Sequence, residues 1–172
     1  MFGKIKSLRE LFETELGYAY DCEKKLVEKG LPTMIENASS GELRSALEQH
    51  LQETRRHVTR LERVFSLIGV EPRTESNAVL GELTSATKDS ISHTEDSSLR
   101  DAALIVNGNF VEHYEIALYG SLAAFAKNLG SRDAAQLLNE TLVEEKAADA
   151  KLSEIGETLL AKQSGKRQAA VS

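Results

Sequence analysis

The chain has 172 residues, 41% of them apolar and 28% charged, with a net charge of -6 and one cysteine. That is the size and balance of a single domain with its own core; the acidic excess argues against a nucleic-acid-binding surface, and the lone Cys22 excludes an intrachain disulfide. No stretch approaches the ~20 apolar residues of a bilayer span, and the N-terminus lacks the apolar run of a signal peptide, so a cytoplasmic protein that engages neither membrane nor nucleic acid is expected.

Apolar residues recur three and four apart throughout, with no strand-like alternation, so every element reads as helix. Leu8, Leu11, Phe12, Leu16, Ala19, Leu26 and Leu31 trace one face of a first helix, which Pro32 is expected to kink by removing a backbone donor. A break falls at Asn37 to Ser40. Ser39 and Glu42 have capping-box spacing, and Leu43, Leu47, Leu51, Val58, Leu61 and Phe65 carry a second helix that Gly69 and Pro72 close. Glu71 to Ser97 is too long for a turn between neighbours; Val79, Leu80 and Leu83 place a short extra helix within it. Ser97 or Ser98 then caps a third helix marked by Leu104, Ile105, Val111, Leu118, Leu122 and Phe125. Gly130 and Ser131 combine a stop with a start, and Leu138, Leu142, Leu152, Ile155 and Leu159 follow on a fourth helix. Residues 163–172 show no apolar period and are expected to be a disordered tail on a bundle of residues 1–162. Two helical hairpins joined by one long crossover predict an all-α, ferritin-like four-helix bundle.

Glu23, Glu53, Glu112 and Glu145 each lie near the middle of one helix, in register with positions that would ordinarily hold Leu or Ile. One such Glu is more often at the edge of an apolar stripe with its carboxylate in water. Four at a common depth are different, because burying a carboxylate without a partner costs several kcal/mol. A metal pair is the expected occupant. In dimetal bundles, two helices each supply a Glu and two supply a Glu with a His one turn away. His50 and His57 flank Glu53 at three and four residues, so either imidazole could join it. Glu115 lies one turn beyond Glu112 and Asp149 one turn beyond Glu145, while Ala148 stands at the i+3 position where a His would complete the pattern. The predicted ligands are therefore Glu23, His50, Glu53, His57, Glu112, Glu115, Glu145 and Asp149, a nitrogen and oxygen set suited to two iron or manganese ions. One position is expected to be nitrogen-ligated and tight, the other oxygen-rich and weak. His113, about 100° around the helix from Glu112, is expected to point away. The four tyrosines read as packing residues with hydroxyls at the rim, and Cys22 as a small core residue.

The segments YDCEKKLVEKGLP, HLQETRRHVTRLE, DAALIVNGNFVEHYEIALYGSL and LLNETLVEEKAADAKL, in this order, resemble the YciE/YciF-type ferritin-like stress proteins of bacteria. The resemblance covers about residues 8–160, and VEHYEIALYG is its most specific part. It implies a rubrerythrin-like bundle, commonly dimeric and cytoplasmic, with a ferritin-type dimetal centre and a role in stress responses. The motifs coincide with Glu23, with His50 and Glu53, with Glu112 and Glu115, and with Glu145 and Asp149. The expected function is a dimetal-carboxylate protein of stress protection acting on peroxide or oxygen. The competing expectation is a metal-free helical dimer with an interaction or structural protective role. A homodimer is expected rather than a cage, because apolar residues are left over on the first two helices.

Overall fold

The computed structural model describes residues 4–76 and 78–169, with side chains through residue 161. Among the described residues six α-helices follow one another: α1 (Leu8–Lys25), α2 (Leu31–Asn37), α3 (Gly41–Leu67), α4 (Ala78–His93), α5 (Ser97–Asn128) and α6 (Arg132–Ala169). No strand occurs among the described residues, and no helix there is long and apolar enough to cross a membrane. Helices α1, α3, α5 and α6 form the bundle, with α1 and α6 each packed against both α3 and α5.

The core divides into two apolar halves. Phe12, Leu16, Phe65, Leu122 and Leu138 anchor one; Leu43, Leu47, Leu104, Leu152 and Ile155 anchor the other. Burial of each such side chain contributes about 1.5–3 kcal/mol. Helices α3 and α5 both run from the second half to the first, whereas α1 and α6 run the opposite way. Since α3 and α5 are parallel, the chain between them must return along the bundle's length. Helix α4 makes that return and packs on α5: Leu80 joins the second core half with Leu104 and Ile105, and Asn107 donates to the Ser90 hydroxyl at 3.0 Å.

At 16 residues, α4 is longer than the short helix expected from Val79, Leu80 and Leu83. Threonines hid its inner face: Thr84 and Thr87 donate their hydroxyls to the carbonyls of Leu80 and Leu83, at 2.8 and 3.0 Å, and so join an apolar stripe at little cost. The first helix is interrupted just before Pro32. Residues Leu26–Gly30 form a π-helical turn that widens the helix, and α2 then continues the same direction of burial with Leu31 and Met34.

Two caps differ from their expected residues. Ser40, not Ser39, caps α3, because Ser39 is drawn to the buried Asp101 through its backbone N–H at 2.8 Å and its hydroxyl at 2.6 Å. Asp96, rather than Ser97 or Ser98, caps α5 by accepting from the N–H groups of Ser98 and Leu99. The turns at Gly69 and Gly130 are as expected: positive φ of 71° and 78° lets the next N–H return to the last turn of α3 and α5. Helix α6 runs on through Ala169, so the backbone of residues 163–169 is helical where a tail was expected. Lys, Arg, Gln and Ala sustain a helix by propensity without an apolar face. Residues 170–172 of that expected tail lie outside the described residues.

Candidate metal centre

Between the two apolar halves lies a polar layer to which each bundle helix contributes. Glu23 comes from α1, His50 and His57 from α3, Glu112 and Glu115 from α5, and Glu145 from α6. All six are buried, with Glu23, His57 and Glu145 at 0% exposure. Helical spacing explains the placement: His50 and His57 are two turns apart on the inner face of α3, and Glu112 and Glu115 are one turn apart on that of α5.

The side chains converge as two groups sharing one carboxylate. Ligand-capable atoms of His50, Glu112, Glu115 and Glu145 lie within 4.8 Å of one another, as do those of Glu23, His57 and Glu145. His50 Nε2 is 3.1 Å from Glu112 Oε1 and 3.9 Å from Glu145 Oε2. His57 Nδ1 is 3.0 Å from Glu145 Oε1 and 3.4 Å from Glu23 Oε1. Each group has its own imidazole, which corrects the expectation of one nitrogen-bearing and one all-oxygen position. The cause is that both histidines of α3 face inward, at two different depths.

Seven buried atoms of this layer have no hydrogen-bond partner: Glu23 Oε2, His50 Nδ1, His57 Nδ1, Glu112 Oε2, Glu115 Oε2 and both carboxylate oxygens of Glu145. His57 Nδ1 and Glu145 Oε1 are close in distance without hydrogen-bond alignment, so the pair is an electrostatic contact only. Leaving such groups bare costs about 1–3 kcal/mol each, and more for charged ones. A divalent cation would satisfy several at once, and the donor set of carboxylate oxygens and imidazole nitrogens fits iron or manganese. The residues present therefore fit the expected metal pair.

The titrating groups respond to crowding. Burial, followed by repulsion from Glu145, Glu23 and Glu112, drives Glu115 well above the usual carboxylate range. Burial pushes Glu145 up to about 7, against the pull of His57. Burial opposes a charge on His57, but Glu145 and Glu23 outweigh it and raise its pKa to about 10. For His50, burial is likewise outweighed, chiefly by Glu112, and the imidazole is held well above its ordinary value. Without a cation, protons do its work.

Around the ligand layer stands a set of donors that orient it. Tyr119, 1% exposed, donates its hydroxyl to Glu23 Oε1; this corrects the rim position expected for it. Burial, then the Glu23 carboxylate, keeps that hydroxyl protonated, its pKa well above normal. Cys22 donates to Glu115 Oε1 at 3.5 Å, and burial raises its thiol likewise. Glu144 holds His57 Nε2 at 2.6 Å and is itself clasped by Arg60, with N···O distances of 3.0 and 3.1 Å. That grip turns Nδ1 of His57 toward the centre. From the sequence, Tyr119 reads as a packing residue only, and Glu144 and Arg60 have no role; the one available signal for the latter pair is that Arg60 follows His57 by three residues, on the same face.

Two of the eight predicted residues stand outside the groups. Glu53 is half-buried on the wall beside His50, 3.7 Å from its Nδ1, and accepts from Gln49 at 3.0 Å. The His50 imidazole lowers its pKa to about 2. Asp149 lies one turn beyond Glu145 toward the bundle surface, where its carboxylate is 3.1 Å from Nδ1 of the exposed His113. His113 points outward, as its helical angle predicts.

A cleft of about 490 Å³ between α3 and α6 reaches this layer, with His50 and Glu112 at its inner end.

Comparison with known proteins gives a consistent result. The family described as "Domain of unknown function (DUF892)" matches residues 7–165. The chain is 38% identical to Protein YciF of Escherichia coli K12 over 152 residues, which is 88% of this chain and 91% of that one. The solved structure of the E. coli stress protein YciF superposes with a TM-score of 0.88 at 36% identity, covering 92% of this chain and 99% of that one. YcfI of Rhodopseudomonas palustris gives 0.86 at 36% identity, covering 89% and 98%. A protein of Xanthomonas campestris pv. campestris, at 24% identity and a TM-score of 0.71 over 94% and 99%, shares the fold. A match across nearly the whole length, in sequence and in a crossover-linked bundle, means that the chain belongs to the DUF892 family and to its YciE/YciF-type members.

Proposed function

We propose that the protein holds two iron or manganese ions at the centre of its bundle and serves stress protection through their chemistry with peroxide or oxygen. The observation that carries this reading is the set of seven partnerless ligand atoms gathered from four helices. His50, Glu112, Glu115 and Glu145 would hold one ion; Glu23, His57 and Glu145 would hold the other, with Glu145 common to both. Two redox-active ions, if held there, would supply the electrons for reduction of peroxide or oxygen. The chain's own part is to fix and shield: Tyr119 orients Glu23, Cys22 orients Glu115, and Glu144 with Arg60 orients His57. The apolar halves cover the ligand layer on its two sides along the bundle axis, leaving the α3–α6 cleft as its approach from solvent. The stress role is supported by the description of E. coli YciF as a stress protein. A metal-free helical dimer would have to satisfy the same seven atoms with protons or water, whereas their carboxylates and imidazoles already stand at ligand spacing in two groups, which is why the metal reading is preferred.

The test is metal content. Chelated protein reloaded with ferrous or manganous ion is expected to retain two ions per chain after desalting. Glu145→Ala is expected to lose both sites. A wild-type protein that retains no ion would refute the proposal.

The protein is further proposed to be a cytoplasmic homodimer. Leu99, Val106 and Phe110, each more than half exposed, line one outer face of α5, and Leu8 on α1 and Leu67 on α3 are exposed as well. Light scattering is expected to give the mass of two chains; a cage-sized particle would contradict it.

A further inference from the structure

The α3–α6 cleft connects the buried centre to solvent, and its wall is chemically lopsided. Glu42, Glu53, Glu112 and Glu144 line it, against Lys151 and, at the inner end, the imidazole of His50. Lys151 is already engaged by Glu154 at 3.0 Å and faces Glu42 at 4.0 Å. Glu144 is committed to Arg60 and His57, so Glu53 is the carboxylate left between mouth and centre, held loosely by Gln49 and, at 3.8 Å, by Arg56. At the inner end, His50 and Glu112 are 7% and 3% exposed, and each presents a partnerless atom, Nδ1 and Oε2. Ala147 and Ala148 form the α6 side, where larger side chains would narrow the passage. The neighbouring groove along α3 is the opposite in character: Arg55, Arg56, Arg60 and Arg63 line it and would repel a cation.

We propose that the α3–α6 cleft is the route by which a divalent cation reaches the buried centre, with Glu53 as a transient ligand that passes the ion to His50 and Glu112. The inference rests on the metal-binding reading above. It explains why Glu53 is poised beside the ligand groups and yet outside both of them. It also gives a function to Ala148, since a His at that position would narrow the passage.

A route and a ligand differ in kinetics: a blocked route slows loading and release equally and leaves the equilibrium constant alone, whereas a lost ligand weakens it. The probe is Co²⁺ alone, its loading followed by visible absorption in a stopped-flow instrument and its release followed by transfer to a chelator. Ala148→Leu is expected to slow both rates about tenfold, with Kd within about twofold of wild type. Ala147→Leu, at an exposed position, is the second plug should Ala148→Leu melt abnormally. Glu53→Gln is expected to slow both rates while Glu112→Gln chiefly raises Kd. Unchanged rates in both alanine variants, with normal Kd, would overturn the route and leave the metal site intact. A Kd for Glu53→Gln raised as much as for Glu112→Gln would make Glu53 a resident ligand and overturn its transit role. A wild-type protein that takes up no Co²⁺, Mn²⁺ or Fe²⁺ would remove the metal reading and the route with it.

Discussion

The molecule buries carboxylates in two places and treats them in opposite ways. At the end of the bundle, Asp101 on α5 is 2% exposed and fully occupied: it accepts from the backbone N–H groups of Ser39 and Ser40, both at 2.8 Å, and from the Ser39 hydroxyl at 2.6 Å. It ties the α2–α3 turn to α5 and needs nothing from outside. At the centre, Glu23, Glu112, Glu115 and Glu145 are as deeply buried, yet each has at least one bare oxygen. Burial of an acid therefore does not by itself mark a ligand. What separates the two places is whether the chain supplies the donors, because an acid left without them makes sense in a folded protein only if something else arrives.

The largest effect expected from that contrast is at the satisfied acid. Asp101→Ala leaves two N–H groups and a hydroxyl without their acceptor and is expected to cost about 3 kcal/mol in denaturant unfolding, with or without metal. Rescue of this variant by metal would erase the distinction between the two regions.

Next in size is the stabilisation brought by metal. At ~100 times Kd a ligand specific for the folded state adds about 2.7 kcal/mol, which for a chain of this size raises Tm by roughly 5–10 °C. Manganese is expected to produce such a rise in the wild type and in Glu62→Gln, a carboxylate outside both groups that accepts from the Tyr20 hydroxyl at 2.8 Å, and none in Glu145→Ala, since Glu145 belongs to both groups.

A smaller effect is the pH dependence. His57 has a pKa raised to about 10 in the folded chain, against about 6.5 unfolded, so its contribution to metal-free stability is complete below 6.5 and disappears as pH rises through about 10. Glu145, raised from 4.5 to about 7, contributes in the same sense and loses its contribution between those values. A cation needs both groups deprotonated. Its stabilising effect is therefore expected to grow from about pH 5 towards about pH 10, with protons released on loading. Melting curves with and without manganese over this range check it; an effect that shrinks with pH would mean that the ions bind elsewhere.

The smallest effect is at Asp149, which pairs with His113 near the surface. Asp149→Ala is expected to change stability by less than about 0.5 kcal/mol and to leave metal content at two ions. Loss of an ion in this variant would move the boundary of the site outward by one helical turn.

Much of the bundle was legible because its signals are local. Three-and-four spacing, Gly69 and Gly130 at the turns, and the long interval between α3 and α5 each act within a few residues or by counting. The same locality explains the misses. Ser39 has cap chemistry, but it was diverted by Asp101, 62 residues away, and the inner face of α4 is built partly from threonines whose hydroxyls are satisfied within the helix. For the centre, register alone found Glu23, Glu112 and Glu145, and one-turn spacing added His50, His57 and Glu115. It could not show that Glu53 leans into the cleft or that Asp149 reaches the rim, because residues one turn apart share a face but not a depth.

By itself, then, the sequence determined the helical class, the crossover connectivity and the presence of acids in core register on α1, α5 and α6, since each follows from backbone periodicity and chain length. Only the tertiary structure decided how those acids divide: that Glu145 stands between two groups, that each group receives one imidazole, and that Tyr119, Cys22 and Glu144 orient them. Those facts depend on the rotation and stagger of helices about one another. Such geometry is set by how Leu, Phe and Ala pack along the whole bundle, and no local pattern encodes it.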